Sequence, residues 1–476
     1  MTSTPGPVAR SSSAVLLSLL LGAPPSPAVE TPAAPEPGAL VPDLTAGAAG
    51  AQRHRYARYL PEDWTADRRR PVLIVLDPRG RAVQAAEIFR PGAERFGWIV
   101  LSSYDSRSDL PPDRDPNSPA LEALLRVADE LAGDPQRTYL AGFSGTSKFA
   151  WGAARGLPGA VAGVIGCGGA LPGPWEEWND VELDYFGAAG DTDFNHRSMR
   201  ELDELLDGTG VAHRFEYFPG RHQWLGAGLA AEAIGWLELQ AMKRGLAERD
   251  VVVIERLYER RVEHARSLEE AGAVYPAWRA YRSLAADFDG LRPTTRPAAA
   301  AERLAARPGW QTAQSELTRA LAEEKDYRAR LGTAMRDLAY QAQPKALDTY
   351  LSDLEIEPLR QRGGGDSFTA QAARRQLELA FIQTAYYMPR ALFASGAPRR
   401  AALSLEIAAA IRPNAAETHF QLARAHAQSG EEQKALTGLE RAIALGFTDR
   451  DRLRSDAAFT ELRQTRPFKR LLSRLP

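Results

Sequence analysis

Between residues 53 and 246, seven short apolar runs alternate with stretches of helical periodicity. The runs are HRYARYLP, PVLIVLDP, GWIVLSSY, RTYLAGF, AVAGVIGC, LDYFGAAG and HRFEYFPG. Between them lie sequences such as SPALEALLRVADELAG and HRSMRELDELLDGTG. Ser and Pro open the first of these and Gly closes it, as helix boundaries do. Alternating strands and helices imply a mostly parallel sheet covered on both faces. The expected fold class is therefore α/β and doubly wound. Ligands in such a fold sit beyond the C-terminal ends of the strands.

After residue 247 the pattern changes. Long Ala/Leu/Arg/Glu stretches dominate, interrupted by RPTTRP and RGGGDS, and no strand pattern recurs. Residues 247–380 read as an all-α region. The segment GLAAEAIGWLELQAMKRGLAERDVVVIERL reads as nearly continuous helix tying the two halves together. In 381–476, Ala401, Leu405 and Ala408 recur as Ala435, Leu439 and Ala442, and Gly396 recurs as Gly430. That period of about 34 residues, with small residues at close helix contacts, is the tetratricopeptide pattern. The chain resembles that family across about two repeats, 381–447, with Pro389 falling inside the first expected helix. Repeats of this kind imply a peptide or protein partner, and the preceding helices are expected to stack beneath them.

Residues 1–28 read as an export signal. Arg10 supplies a basic start, AVLLSLLLGA an apolar segment too short to span a membrane, and Ser26-Pro27-Ala28 the small residues of a cleavage site. A secreted or periplasmic location is expected, with no membrane span in the mature chain. Residues 29–52 are rich in Pro, Ala and Gly and read as a linker. The formal net charge of −2 sets up no field that would draw the chain to nucleic acid. The single cysteine, Cys167, excludes an intramolecular disulfide and reads as a small buried hydrophobe. The seven histidines show no metal-ligand spacing.

Residues 139–151, YLAGFSGTSKFAW, run from an apolar strand through Gly-x-Ser-x into a helix. This is the form of a nucleophile elbow, in which Gly142 and Gly145 leave room for a strained, exposed Ser144. Thr146 stands where such elbows usually carry a second glycine. Ser147 lies nearly one helical turn further on and should face elsewhere. A hydrolytic serine needs a base, and the base needs an orienting carboxylate. The chain order Ser, acid, His can be tested here. Asp191 and Asp193 follow LDYFGAAG, and His222 follows HRFEYFPG. All lie just past strand ends on the same sheet edge as Ser144. His213 begins a strand and His196 opens a helix, whereas His264, His419 and His426 lie in the helical half and His54 precedes the sheet. Asp193 is preferred as the acid, with Asp191 shaping the turn after Gly190. Asp77 and Ser103 read as turn-capping residues. Phe143, Trp151 and Trp224 are either core or walls of an acyl pocket.

The segments YARYLPEDW…RPVLIVLDPRG, YLAGFSGTSKFAW, GAAGDTDFNHRSMREL and YFPGRHQW resemble the α/β-hydrolase superfamily over about residues 53–245. They look most like the small secreted esterases related to polyhydroxybutyrate depolymerases, feruloyl esterases and the phospholipase/carboxylesterase group. The resemblance implies Ser144 as nucleophile, Asp193 as acid and His222 as base. It implies the Gly145 amide as one oxyanion donor and a second donor from the loop DPRGRA. Pro78 has no N–H, so Arg79, Gly80 or Arg81 would supply it. The loop lacks the His-Gly-Gly-Gly of many lipases. The implied activity is hydrolysis of a small-molecule or polymer ester through an acyl-enzyme, which requires no cofactor or metal. A peptidase or amidase with the same triad, and a non-enzymatic tetratricopeptide scaffold, are the alternatives.

Overall fold

The computed structural model describes residues 35–47, 52–110, 114–170 and 182–475. The export-signal reading of residues 1–28 lies outside them. The strands are β1 (Leu40–Ala46), β2 (His54–Tyr59), β3 (Arg70–Leu76), β4 (Ile99–Ser103), β5 (Gly133–Phe143), β6 (Gly163–Cys167), β7 (Asp184–Gly190) and β8 (Ala212–Phe218). They form one sheet in the order β1-β2-β4-β3-β5-β6-β7-β8. β2 runs antiparallel to both neighbours, and the pairs from β4 to β8 are parallel.

The seven apolar runs form β2 to β8. β1 is a correction, because it lies in the stretch that reads as linker. Its register shifts between Val41 and Leu44, and Asp43 takes a φ of 56°. Pro42 and this irregularity break the alternation that would announce a strand. An edge strand tolerates them because one row of its backbone groups needs no partner.

The central strand β3 is buried at every position. Period two sends its side chains to two cores. Val72, Ile74 and Leu76 pack with Leu121 and Leu124 of α2 (Asn117–Glu130), Trp151 of α3 (Gly145–Gly156) and Leu202 of α4 (His196–Leu206). Leu73 and Val75 pack on the other face with Phe89 of α1 (Ala82–Phe96) and with Ile234 and Leu237 of α5 (Ala227–Lys243). A continuous apolar run is what such two-sided burial requires.

The expected continuous helix across the junction is broken. α5 ends at Lys243, Gly245 is left-handed at φ 72°, and α6 (Val251–Glu270) restarts at Asp250. The Asp250 carboxylate accepts the Val252 and Val253 amides, an N-cap that helical periodicity alone does not reveal. Next come α7 (Val274–Phe288), α8 (Thr295–Ala305), the long α9 (Pro308–Tyr340), α10 (Leu347–Asp353), α11 (Ile356–Arg362) and α12 (Phe368–Ile382). A π-helical segment, Gln383–Tyr387, joins α12 to α13 (Met388–Ala394) with no break in the helical backbone, so Pro389 lies inside a continuous helical run, directly after the π turn. The chain finishes with α14 (Pro398–Ile411), α15 (Ala416–Gln428), α16 (Glu432–Ala444), α17 (Arg450–Ser455) and α18 (Arg466–Leu472). Among the described residues no strand follows β8.

Candidate active site

The C-terminal ends of β5, β7 and β8 bring three side chains together. Ser144 directly follows β5 with φ 56° and ψ −120°, a conformation that L-residues rarely adopt. Surrounding contacts hold it there. Its amide donates to the Cys167 carbonyl at 2.8 Å. A Cβ on Gly142 would lie 2.3 Å from the Thr146 carbonyl oxygen, and one on Gly145 would lie 2.4 Å from Ser108 Cβ. Thr146 is fully buried. Its Oγ1 accepts the Phe143 amide at 3.1 Å and reaches the Leu76 carbonyl, so it ties the first turn of α3 to β3 and β5. Ser147 is also fully buried, with Oγ donating to the Gly169 carbonyl at 2.9 Å.

His222 Nε2 stands 2.9 Å from Ser144 Oγ, and His222 Nδ1 stands 2.9 Å from both oxygens of Asp193. These distances fit Nδ1–H facing the carboxylate and a bare Nε2 facing the hydroxyl. Asp193 is fully buried, while the His222 side chain keeps 17% of its surface exposed. The Asn195 amide donates to Asp193 Oδ1 at 2.7 Å. The imidazole lies between two aromatic rings, Phe143 at 4.6 Å and Phe194 at 4.3 Å between centroids. Asp191 does not face His222; its Oδ1 accepts the Gly220 amide at 3.1 Å.

The loop after β3 differs from expectation. The Arg79 amide donates to Asp77 Oδ1 at 2.9 Å and the Gly80 amide to the Asp77 carbonyl at 3.0 Å. The Arg81 amide, Arg81 Nε and Trp224 Nε1 also donate to the Asp77 carboxylate. Burial alone would raise this carboxyl's pKa, but the hydrogen bonds from Arg81, Trp224 and the two amides outweigh it and hold it below its ordinary value. Asp77 thus organises the loop, and the Arg79 and Gly80 amides are engaged rather than free for an oxyanion. The Gly145 amide makes no hydrogen bond among the described residues. Beside it stands Ser108, whose hydroxyl likewise has no partner among them.

The three aromatic candidates are buried rather than open pocket walls. Trp151 packs edge-on against Tyr185 in the core, and Phe143, which touches His222, packs against Trp224 at 5.6 Å. Cys167 is fully buried, and burial pushes its thiol well above the ordinary range. Sequence reasoning missed Gly168, Phe194 and Asn195. Gly168 takes φ 55°, and Asn195 Nδ2 donates to its carbonyl at 2.8 Å. For Gly168 the signal was the run Gly166-Cys167-Gly168-Gly169, and for Phe194 and Asn195 it was their place directly after Asp193 in GAAGDTDFNHRSMREL. Sequence also did not connect this edge to the helical half. Arg375 of α12 donates to the Asp191 carbonyl at 2.6 Å, and Arg328 of α9 donates to the Phe194 carbonyl at 3.1 Å.

No family model and no curated protein matches this chain. Several solved structures are similar to part of it. A ferulic acid esterase is 15% identical, with 42% of this chain and 96% of that chain covered at a TM-score of 0.36. A fluorophosphonate-binding serine hydrolase from Staphylococcus aureus is 16% identical, with 42% and 99% covered at 0.33. A hyperthermophilic esterase from the archaeon Pyrobaculum calidifontis is 15% identical, with 43% and 87% covered at 0.34. At these scores the likeness decides neither fold nor chemistry, and both rest on the residues described above.

Proposed function

We propose that this chain is a serine hydrolase that cleaves a carboxylic ester through an acyl-enzyme on Ser144. One observation carries the reading: an unbroken hydrogen-bonded relay from Ser144 Oγ through His222 to Asp193, each step 2.9 Å, at the C-terminal sheet edge. His222 Nε2 takes the proton as Ser144 Oγ attacks the acyl carbonyl. Asp193 holds the imidazole tautomer and stabilises the imidazolium. The Gly145 amide faces the developing oxyanion, and Ser108 Oγ, beside it and unengaged among the described residues, supplies the second donor. Collapse of the tetrahedral intermediate expels the alcohol with the proton from His222. Water then attacks the acyl-enzyme by the same route in reverse. The ester is preferred to an amide on the resemblance of the segments around Ser144, Asp193 and His222.

Labelling of the full chain with a fluorophosphonate tests this. The adduct should map to Ser144, be absent from Ser144→Ala, and persist in Ser147→Ala. A wild-type chain that stays unlabelled, or an adduct on another residue, refutes the reading. The sequence of residues 1–28 supports export, and an intact Met1 on the native protein would argue against it. The full burial of Ala401, Leu405, Ala408, Ala435, Leu439 and Ala442, with left-handed Gly396 and Gly430, supports reading α13–α16 as two tetratricopeptide-like hairpins.

A further inference from the structure

The acid loop, Asp191–Asn195, is held from two sides. On the sheet side, the Asp191 amide donates to the Phe218 carbonyl at 2.8 Å and the Thr192 amide to the Gly220 carbonyl at 2.9 Å. These bonds join the loops that carry Asp193 and His222. On the other side, the holds come from the helical half. Arg375 on α12 reaches the Asp191 carbonyl and Arg328 on α9 reaches the Phe194 carbonyl, so the backbone is gripped both before and after Asp193. The Phe194 ring is buried in the same cluster as Tyr327 and Leu331 of α9, and it also packs against His222. At the start of α4, Arg197 Nε donates to the Leu321 carbonyl of α9 at 3.2 Å.

Arg375 is 2% exposed and lies deep between the halves. Its Nε and Nη2 both donate to Glu324 Oε1 of α9, the first at 3.0 Å. A buried ion pair of this kind adds little net stability over apolar residues of the same volume. Its distinctive effect here is geometric. Glu324 fixes the guanidinium plane, which leaves Nη1 aimed at the Asp191 carbonyl.

We propose that Arg375 and Arg328 are positioning residues for Asp193, and that α9 and α12 clamp the acid loop so that the triad is aligned only when the helical half is docked. The proposal rests on the serine-hydrolase reading above. The clamp acts on the backbone on either side of Asp193, and so on the direction in which its carboxylate meets Nδ1 of His222.

The test uses the full chain and p-nitrophenyl acetate. Arg328→Met removes one hold from a half-buried position. Arg375→Met combined with Glu324→Gln removes the other without stranding a buried charge. Each should lower kcat about 10- to 100-fold with KM nearly unchanged, as expected for a misplaced catalytic group. In an Asp193→Asn background the same changes should have almost no further effect on the residual kcat, because the group they position is gone. Full kcat in either folded variant overturns the clamp, as does a loss of undiminished size in the Asp193→Asn background, which marks general damage. If the double variant does not fold, Arg328→Met decides alone. A wild-type chain not phosphonylated at Ser144 defeats the triad reading instead, whereas labelling at Ser144 with fully active variants defeats only the clamp.

Discussion

Replacing Gly168 by Ala should damage catalysis as well as folding. Gly168 has φ 55°, where an L-side chain costs about 1–2 kcal/mol. The added Cβ would lie 2.8 Å from Asp193 Oδ2, 3.2 Å from His222 Nδ1 and 3.2 Å from Phe143 Cε2. The backbone has little room to retreat, since the Gly168 amide donates to the Ala188 carbonyl at 2.8 Å and its carbonyl accepts Asn195 Nδ2 at 2.8 Å. Ordinary contact begins at 3.4 Å, so the carboxylate and the methyl must part by 3.4 − 2.8, about 0.6 Å. Catalytic groups tolerate about 0.5 Å of error, and about 1 Å costs on the order of 100-fold. A fall in kcat of about tenfold is therefore expected, or about 1.4 kcal/mol of barrier, with KM unchanged. Initial rates on p-nitrophenyl acetate, with Tm measured alongside, check this. Gly159→Ala is the control: Gly159 has φ 79° but nothing within 4 Å of an added Cβ, so it should lower Tm while sparing kcat. Wild-type kcat in Gly168→Ala, or an equal kcat loss in Gly159→Ala, would refute the argument.

Asp193→Asn should lower kcat by about 10⁴-fold, whereas Asp191→Asn, which keeps an acceptor for the Gly220 amide, should cost less than about tenfold; equal losses in steady-state rates would contradict the assignment. Ser108→Ala should reduce kcat about 100-fold with KM little changed if its hydroxyl meets the oxyanion, and an unaltered kcat removes it from that role. Burial, reinforced by the charges of Arg375 and Arg200, holds the His196 imidazole well below its ordinary pKa. Its folded pKa is lowered, so its stabilising contribution is complete above the unfolded value of about 6.5 and is lost as pH falls below it. Asp184, pushed up to about 6 by burial despite Arg244, acts in the opposite sense, so the informative quantity is a difference between variants. Tm should fall more steeply from pH 7 to pH 5 in the wild type than in His196→Gln, and parallel slopes would contradict it.

Strands β2 to β8 were legible because apolar runs and helix periods are local patterns, and each run needs only its own neighbours to declare itself. The placing of Ser144 and His222 past strand ends was legible for the same reason, since a turn follows the run that precedes it. β1 was not, because Pro42 and Asp43 interrupt its alternation and an edge position buries little of it. The choice between Asp191 and Asp193 could be weighed but not closed from one turn of sequence; it depends on which carboxylate faces a ring carried by the loop after β8. The loop after β3 depends on Asp77 receiving Trp224 Nε1 from 147 residues away, so its amides looked available until that side chain was in place. Arg375, 184 residues from Asp191, sits in an Ala- and Arg-rich helix where an arginine reads as solvated surface. A contact between distant segments leaves no periodic mark at either end. Only the packing of the helical half against the sheet takes that guanidinium out of water and aims it at the acid loop.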